Sequence, residues 1–238
     1  MRLIGVGVGP GDPELVTVKA VRVLREAGRV FVPVLDTADT GHAEATVRAH
    51  AGHGRIERLV FALNERADTA RRERHWDAAG ARVVAWLTET GGVAVFATIG
   101  DPNVYSTFTY LAQTVTALAP GVAVETVPGI TAMQALAAAS GTPLVEGSEP
   151  LTLLPLGDRS DRLRAVLAGD GTVVVYKGGR RLPALAAAIA ESGRDAVYGA
   201  RLGLPGERVT TLSTVDGTAP YLSTVLVPVR RDGRGSKL

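Results

Sequence analysis

The 238-residue sequence contains no cysteine. That absence removes disulfides, thiolate zinc sites, iron–sulfur clusters and thiol nucleophiles together, so any chemistry rests on other side chains or on a bound small molecule. Aromatic residues make up only 5%, and no basic stripe is interleaved with them, which argues against nucleic acid as a partner. No apolar run approaches the roughly 20 residues of a membrane-spanning helix, so no membrane partner is expected. The opening Met1-Arg2-Leu3-Ile4-Gly5 lacks the charged, apolar and cleavage regions of a secretory leader, and a cytoplasmic protein is expected. Lysine is rare as well: Lys19, Lys177 and Lys237 are the only ones, so nearly all positive charge is arginine. Arginine forks suit carboxylates, although a solvated surface accounts for most of them equally well. There is no Gly-x-Ser-x-Gly elbow, no Walker lysine loop and no His-Glu-x-x-His, which leaves hydrolase and phosphoryl-transfer readings without support.

What is present is a folded α/β pattern. Hydrophobic residues at 46% and charged residues at 21% exclude disorder. Short apolar strands are expected at 2–8, 29–35, 55–61, 92–97 and 121–127, with helices from Pro13 to Gly28, at 42–51, 66–90 and 103–118, and a small-residue helix at 130–141. Strands alternating with helices imply crossovers and a mostly parallel sheet. Beyond about 150 the pattern changes. Strands at 151–156, 172–176, 196–201, 207–213 and 221–229 share only two helices, near 159–168 and 181–192, so some antiparallel pairing is expected. The fold class is therefore α/β in two domains, 1–119 and 120–238, the first sheet mostly parallel and the second mixed, with 230–238 a flexible tail.

Four segments stand where a strand ends and a turn or helix begins. Gly5-Val-Gly-Val-Gly-Pro-Gly-Asp-Pro13 brings backbone close to any ligand. It breaks the dinucleotide fingerprint: counted from Gly5 the third glycine position is Pro10, and counted from Gly7 it is Asp12. A tight structural turn is an equal reading of this segment alone. The second, Ala97-Thr-Ile-Gly-Asp-Pro-Asn-Val-Tyr-Ser-Thr107, repeats the Gly-Asp-Pro turn after a buried strand, and ligands gather at strand carboxyl ends in such sheets. The third is Val127-Pro-Gly-Ile-Thr-Ala132, and the fourth Val173-Val-Val-Tyr-Lys-Gly-Gly179. His42, His50, His53 and His75 lack a clean ligand spacing, so they read as surface residues and no protein-bound metal is expected.

The ordered set of four resembles the tetrapyrrole (corrin and porphyrin) methyltransferase family across nearly the whole chain. Within it, Gly100-Asp-Pro-Asn-Val-Tyr-Ser-Thr-Phe-Thr-Tyr110 looks most like the precorrin-2 C-20 methyltransferase branch. The resemblance implies transfer of a methyl group from S-adenosylmethionine to C-20 of precorrin-2, giving S-adenosylhomocysteine and precorrin-3A, with a cobalt-loaded macrocycle as the variant substrate. It implies a cofactor cleft between two domains and a homodimer. It carries cofactor contacts onto Pro10, Ile99, Gly100, Asp101, Val104, Thr131, Ala132, Lys177, Gly203 and Leu204, many through backbone; Lys177 stands where relatives commonly have methionine. Tyr105, Ser106 and Arg180 are candidates for the substrate. No catalytic acid or base is assigned; Asp36 lies near where some relatives place an acid, but in a different local sequence. The alternatives are another tetrapyrrole methylase, a nicotinamide-dependent oxidoreductase on the opening glycine loop, and a tetrapyrrole carrier without methyl transfer.

Overall fold

The computed structural model describes residues 1–61, 68–156, 160–177, 179–231 and 233, with backbone only at His53, Ser160 and Arg180. The starts expected for helices at 66 and 159, and most of the expected tail at 230–238, lie outside the described residues. The chain divides into two units, Met1–Thr131 and Ala132–Leu238.

The first unit holds a fully parallel sheet. Its strands are β1 (Arg2–Gly7), β2 (Arg29–Val34), β3 (Ile56–Val60), β4 (Val93–Thr98) and β5 (Ala123–Val127), in the order β3-β2-β4-β1-β5. Because β5 pairs with β1, from Arg2 opposite Ala123 to Val6 opposite Val127, it belongs to this unit. The division therefore falls after Thr131 and not near Pro120, where the sequence pattern places it. Helices α1 (Val18–Glu26) and α2 (His42–His50) cover one face, where Leu24 and Val47 pack on Ile4, Val6 and Val95. Helices α3 (Thr69–Thr90) and α4 (Phe108–Leu118) cover the other, where Leu87, Phe108 and Leu111 pack on Leu3, Phe31 and Phe96.

Two helices differ from expectation. The helix expected from Pro13 onward is broken: Pro13–Leu15 form one 3-10 turn, and α1 starts afresh after Thr17, whose hydroxyl accepts the Ala20 N–H at 3.2 Å. The β-region backbone of Val16 and Thr17 separates them. Asp12 does cap the first turn, accepting the Glu14 N–H at 2.8 Å. Helix α4 begins at Phe108, not 103, because residues 103–107 form a loop with Tyr105 in the left-handed region at φ 51°.

The second unit starts with α5 (Ala132–Ser140) and continues with β6 (Leu151–Pro155), α6 (Ser160–Leu167), β7 (Thr172–Tyr176), α7 (Leu182–Glu191), β8 (Val197–Ala200), β9 (Arg208–Thr211) and β10 (Ser223–Val227). The sheet order is β6-β7-β10-β8-β9. Only β6 and β7 pair in parallel; β10 runs antiparallel to β7 and β8, and β9 antiparallel to β8. This is the mixed sheet that the missing late helices predict. Helix α5 packs on it through Leu136, so close to β8 that a methyl on Gly199 would sit 2.7 Å from the leucine side chain.

Candidate functional site

Strands β1 and β4 are neighbours, yet their crossovers leave in opposite directions. The chain from β1 passes through α1 to β2 on one side, and the chain from β4 passes through α4 to β5 on the other. Both connections start at the carboxyl ends of these central strands, the edge where open α/β sheets hold ligands. The loops Gly7–Pro13 and Thr98–Thr107 stand at that edge.

Backbone ties these loops together. The Val8 N–H donates to the Thr98 carbonyl at 2.9 Å, and the Gly100 N–H to the Gly9 carbonyl at 2.8 Å. The segment after β5 closes against both. A methyl on Gly7 would lie 2.5 Å from the Gly100 oxygen and 2.7 Å from Gly129, and a methyl on Gly129 would lie 2.1 Å from that same oxygen. Three main chains therefore meet with no room for any side chain, which explains the glycines at 7 and 129. Gly100 differs. Its φ is 71°, and among the described residues a methyl there would have only the Thr131 Cα near it, at 4.0 Å, so its bare backbone faces open space among them.

Asp101 fastens the junction. One carboxylate oxygen accepts the Asn103 N–H at 2.8 Å and the other accepts the Gly129 N–H at 3.0 Å. Val104 closes the same turn, its N–H donating to the Asp101 carbonyl at 3.2 Å. Ser106 donates to the buried Thr98 hydroxyl at 3.1 Å and accepts the Phe108 N–H at 3.1 Å, starting α4. Its hydroxyl thus shapes the loop. Tyr105 beside it is exposed. Of the expected residues, the first unit brings together Pro10, Ile99, Gly100, Asp101, Val104, Tyr105, Ser106 and Thr131 around these loops.

The others lie in the second unit. Ala132 opens α5, where the Met133 N–H donates to the Tyr176 hydroxyl at 2.8 Å. Lys177 follows β7 with φ 60°, and Arg201 follows β8 with φ 53°, so both strands end in a left-handed kink. Gly203 donates its N–H to the Glu207 carboxylate at 2.6 Å, and Leu204 its N–H to the Arg201 carbonyl at 2.9 Å. The Arg180 side chain lies outside the described residues.

Sequence reasoning missed the supports beneath the first loop. Helix α2 holds it: the buried Thr46 hydroxyl donates to the Gly11 carbonyl at 3.2 Å, and His50 Nε2 lies 2.7 Å from the Pro13 carbonyl. A carbonyl only accepts, so Nε2 carries the proton. His50 is thus not the plain surface histidine expected. The one available signal was the four-residue spacing of Thr46 and His50, which puts both on one helix face. Helix α2 is itself pinned by Glu44, fully buried, which accepts from Arg58 of β3 at 2.7 and 2.9 Å and from Arg48 at 2.8 Å. The Arg58 guanidinium holds the Glu44 carboxyl below the usual carboxylate range against the opposing effect of burial, with help from Arg48. The turn after β2 is closed by Asp36, whose carboxylate accepts the Ala38 N–H at 2.8 Å. Among the described residues no cluster of histidine and acidic side chains is arranged to hold a metal ion, and no helix is long and apolar enough to cross a membrane.

A fully parallel sheet covered by helices on both faces, with glycine-rich loops joined at the carboxyl ends of its central strands, defines an open-sheet α/β protein. Residues 2–216 match the family model described as Tetrapyrrole (Corrin/Porphyrin) Methylases. Similar proteins include a precorrin-2 C(20)-methyltransferase of Sinorhizobium sp, 36% identical over 97% of this chain and 96% of its own. A probable cobalt-precorrin-2 C(20)-methyltransferase of Methanocaldococcus jannaschii is 40% identical over 66% of this chain and 64% of its own. Among solved structures, uroporphyrin-III C-methyltransferase from Thermus thermophilus complexed with S-adenosyl homocysteine aligns with a TM-score of 0.67 and 25% identity, covering 95% of this chain and 97% of that one. The chain belongs to the tetrapyrrole methylases.

Proposed function

We propose that this enzyme methylates C-20 of precorrin-2 with S-adenosylmethionine, yielding precorrin-3A and S-adenosylhomocysteine in cobalamin biosynthesis. The observation that carries the reading is the end-to-end match, 36% over 97% of the chain, to a relative of that name. The cobalt-loaded macrocycle is the second reading, favoured by the archaeal relative's name.

The residues of these loops suit the cofactor. When bound, S-adenosylmethionine supplies a methyl group already activated on a sulfonium sulfur. A positive sulfur and a zwitterionic tail call for neutral, polar surroundings, and the loops offer main-chain groups between Gly, Pro, Ile and Val side chains. Pro10, Ile99, Gly100, Val104 and Thr131 are the proposed contacts, Gly100 through its open backbone face. Asp101 acts there by holding the loops, since both its oxygens already accept main-chain N–H groups. Ala132, Lys177, Gly203 and Leu204 are proposed contacts of the second unit; the Gly203 N–H is taken by Glu207, and the Leu204 N–H and carbonyl are taken by Arg201 and Glu207, which leaves the Gly203 carbonyl and the Leu204 side chain for that role. The chain's task is orientation, with donor and acceptor carbons in line within about 3–3.5 Å; no side chain is assigned as base. Tyr105 and Ser106 lie on the second of these loops, and with Arg180 they are the proposed substrate residues. A homodimer and a cytoplasmic location complete the reading, the first tested by light scattering on the purified chain.

The decisive experiment is a mass-resolved methyl-transfer assay with metal-free precorrin-2 and, separately, cobalt-factor II. One methyl gained at C-20 on the metal-free macrocycle supports the first reading, and on the cobalt form alone the second. Cofactor binding without transfer to either moves the substrate elsewhere in the family, and absence of cofactor binding refutes both readings.

A further inference from the structure

We infer that Thr46 and His50 are positioning residues that set the shape of the first cofactor loop, so that α2 governs affinity for S-adenosylmethionine without touching it. This rests on the cofactor reading above. Thr46 and His50 stand four residues apart on α2 and reach the same loop at two carbonyls two residues apart, Gly11 and Pro13. A trans peptide points its N–H opposite its C=O. Capturing the Gly11 carbonyl on the helix side therefore turns the Asp12 N–H away from α2, and capturing the Pro13 carbonyl does the same for Glu14, whose N–H meets Asp12. Glycine at 9, with φ 76°, and at 11 leaves the loop free at these two positions, while Pro10, Pro13 and the Asp12 cap restrict it between and after them. The rest of its shape is set from outside, by β4's loop at Gly9 and by α2 at Gly11 and Pro13.

The helix is fit to impose it. Glu44 lies two residues before Thr46 on the same helix and is clamped from β3 by Arg58, which also reaches the Thr37 carbonyl at 2.7 Å. At the helix end the His50 carbonyl accepts from Arg25 of α1 at 3.2 Å. Helix α2 is thus fixed at both ends before it touches the loop.

The test uses the full chain, with S-adenosylhomocysteine and S-adenosylmethionine as probes in titration calorimetry and steady-state assays. Thr46→Val keeps shape and removes the donor. His50→Leu removes the other donor, and His50→Gln restores an N–H near the Nε2 position. Val47→Ala is a core truncation on the same helix that touches neither carbonyl, and it controls for lost stability. The expected result is about a tenfold rise in Kd, about 1.4 kcal/mol, in Thr46→Val and His50→Leu. KM for S-adenosylmethionine rises alongside and KM for the macrocycle is unchanged. His50→Gln stays within about threefold of wild type. Unchanged Kd in both donor-deleted variants, or an equal rise in Val47→Ala, overturns the inference and leaves the cofactor reading standing. A wild-type chain that binds neither probe overturns the cofactor reading, and this inference with it.

Discussion

Replacing single glycines at the three-loop junction separates packing from binding. In Gly129→Ala the new methyl lies 2.1 Å from the Gly100 oxygen and 2.8 Å from the main chain of Gly7. Every obstructing atom is backbone, held by parallel pairing on one side and by Asp101 on the other, so no rotamer change relieves the clash. Overpacking of this kind costs about 3 kcal/mol, a fall of roughly 6–12 °C in Tm for a chain of this size. Gly100→Ala meets no clash; its cost is the left-handed backbone at φ 71°, about 1–2 kcal/mol. Its methyl enters the space proposed for the cofactor, so the Kd for S-adenosylhomocysteine rises more than about tenfold (about 1.4 kcal/mol). Gly121, with no described atom within 4 Å of an added methyl and no positive φ, is the control, and its alanine variant melts at or slightly above wild type. Scanning calorimetry and titration calorimetry on the three variants measure both quantities. A Gly129→Ala melt within 2 °C, about 1 kcal/mol, of wild type refutes the packing argument, and a wild-type Kd in Gly100→Ala removes Gly100 from the cofactor contacts.

Asp101→Asn keeps the bond to the Asn103 N–H but turns an amide toward the Gly129 N–H; a loss of about 2 kcal/mol and faster hydrogen exchange at the Gly129 amide are expected. Tyr176→Phe leaves the Met133 N–H at the head of α5 without its 2.8 Å acceptor, a loss of about 1 kcal/mol by denaturant melts. Glu44 has a folded pKa below its ordinary value of 4.5, so the unfolded chain takes up that proton more readily in acid. Its stabilisation is fully present above the ordinary value and is lost as pH falls through the folded one. The stability difference between wild type and Glu44→Gln is therefore expected to shrink on acidification below about pH 4.5 and to stay level above it.

Strand positions were legible because a sheet covered on both faces leaves its strands as short apolar runs between glycine turns, as in Val93–Thr98. Boundaries that depend on tertiary bonds were not. Helix α4 starts late because Ser106 bonds Thr98, eight residues back and on a strand. The unit boundary moved because β5 pairs with a strand over a hundred residues earlier, which no local pattern records. Gly28 stands just past the cap Ala27, where the sequence places the helix stop, and it also makes room for Trp86, which a methyl would meet at 2.8 Å, a contact no local pattern records. At the site, the order of four glycine-bearing segments was enough to suggest the family. The functions of single side chains were not legible, because Asp101, Thr46 and His50 act on main-chain atoms distant in sequence.

The meeting of Gly7, Gly100 and Gly129 also bears on recombination. Three segments separated by some ninety and thirty residues fit as one rigid piece, so none can drift in backbone path without the other two. Chimeras between this chain and a relative that exchange all three segments inherit a matched junction. Those with a crossover between β1 and β4, or between α4 and β5, join unmatched halves, and functional hybrids should be depleted at those breakpoints.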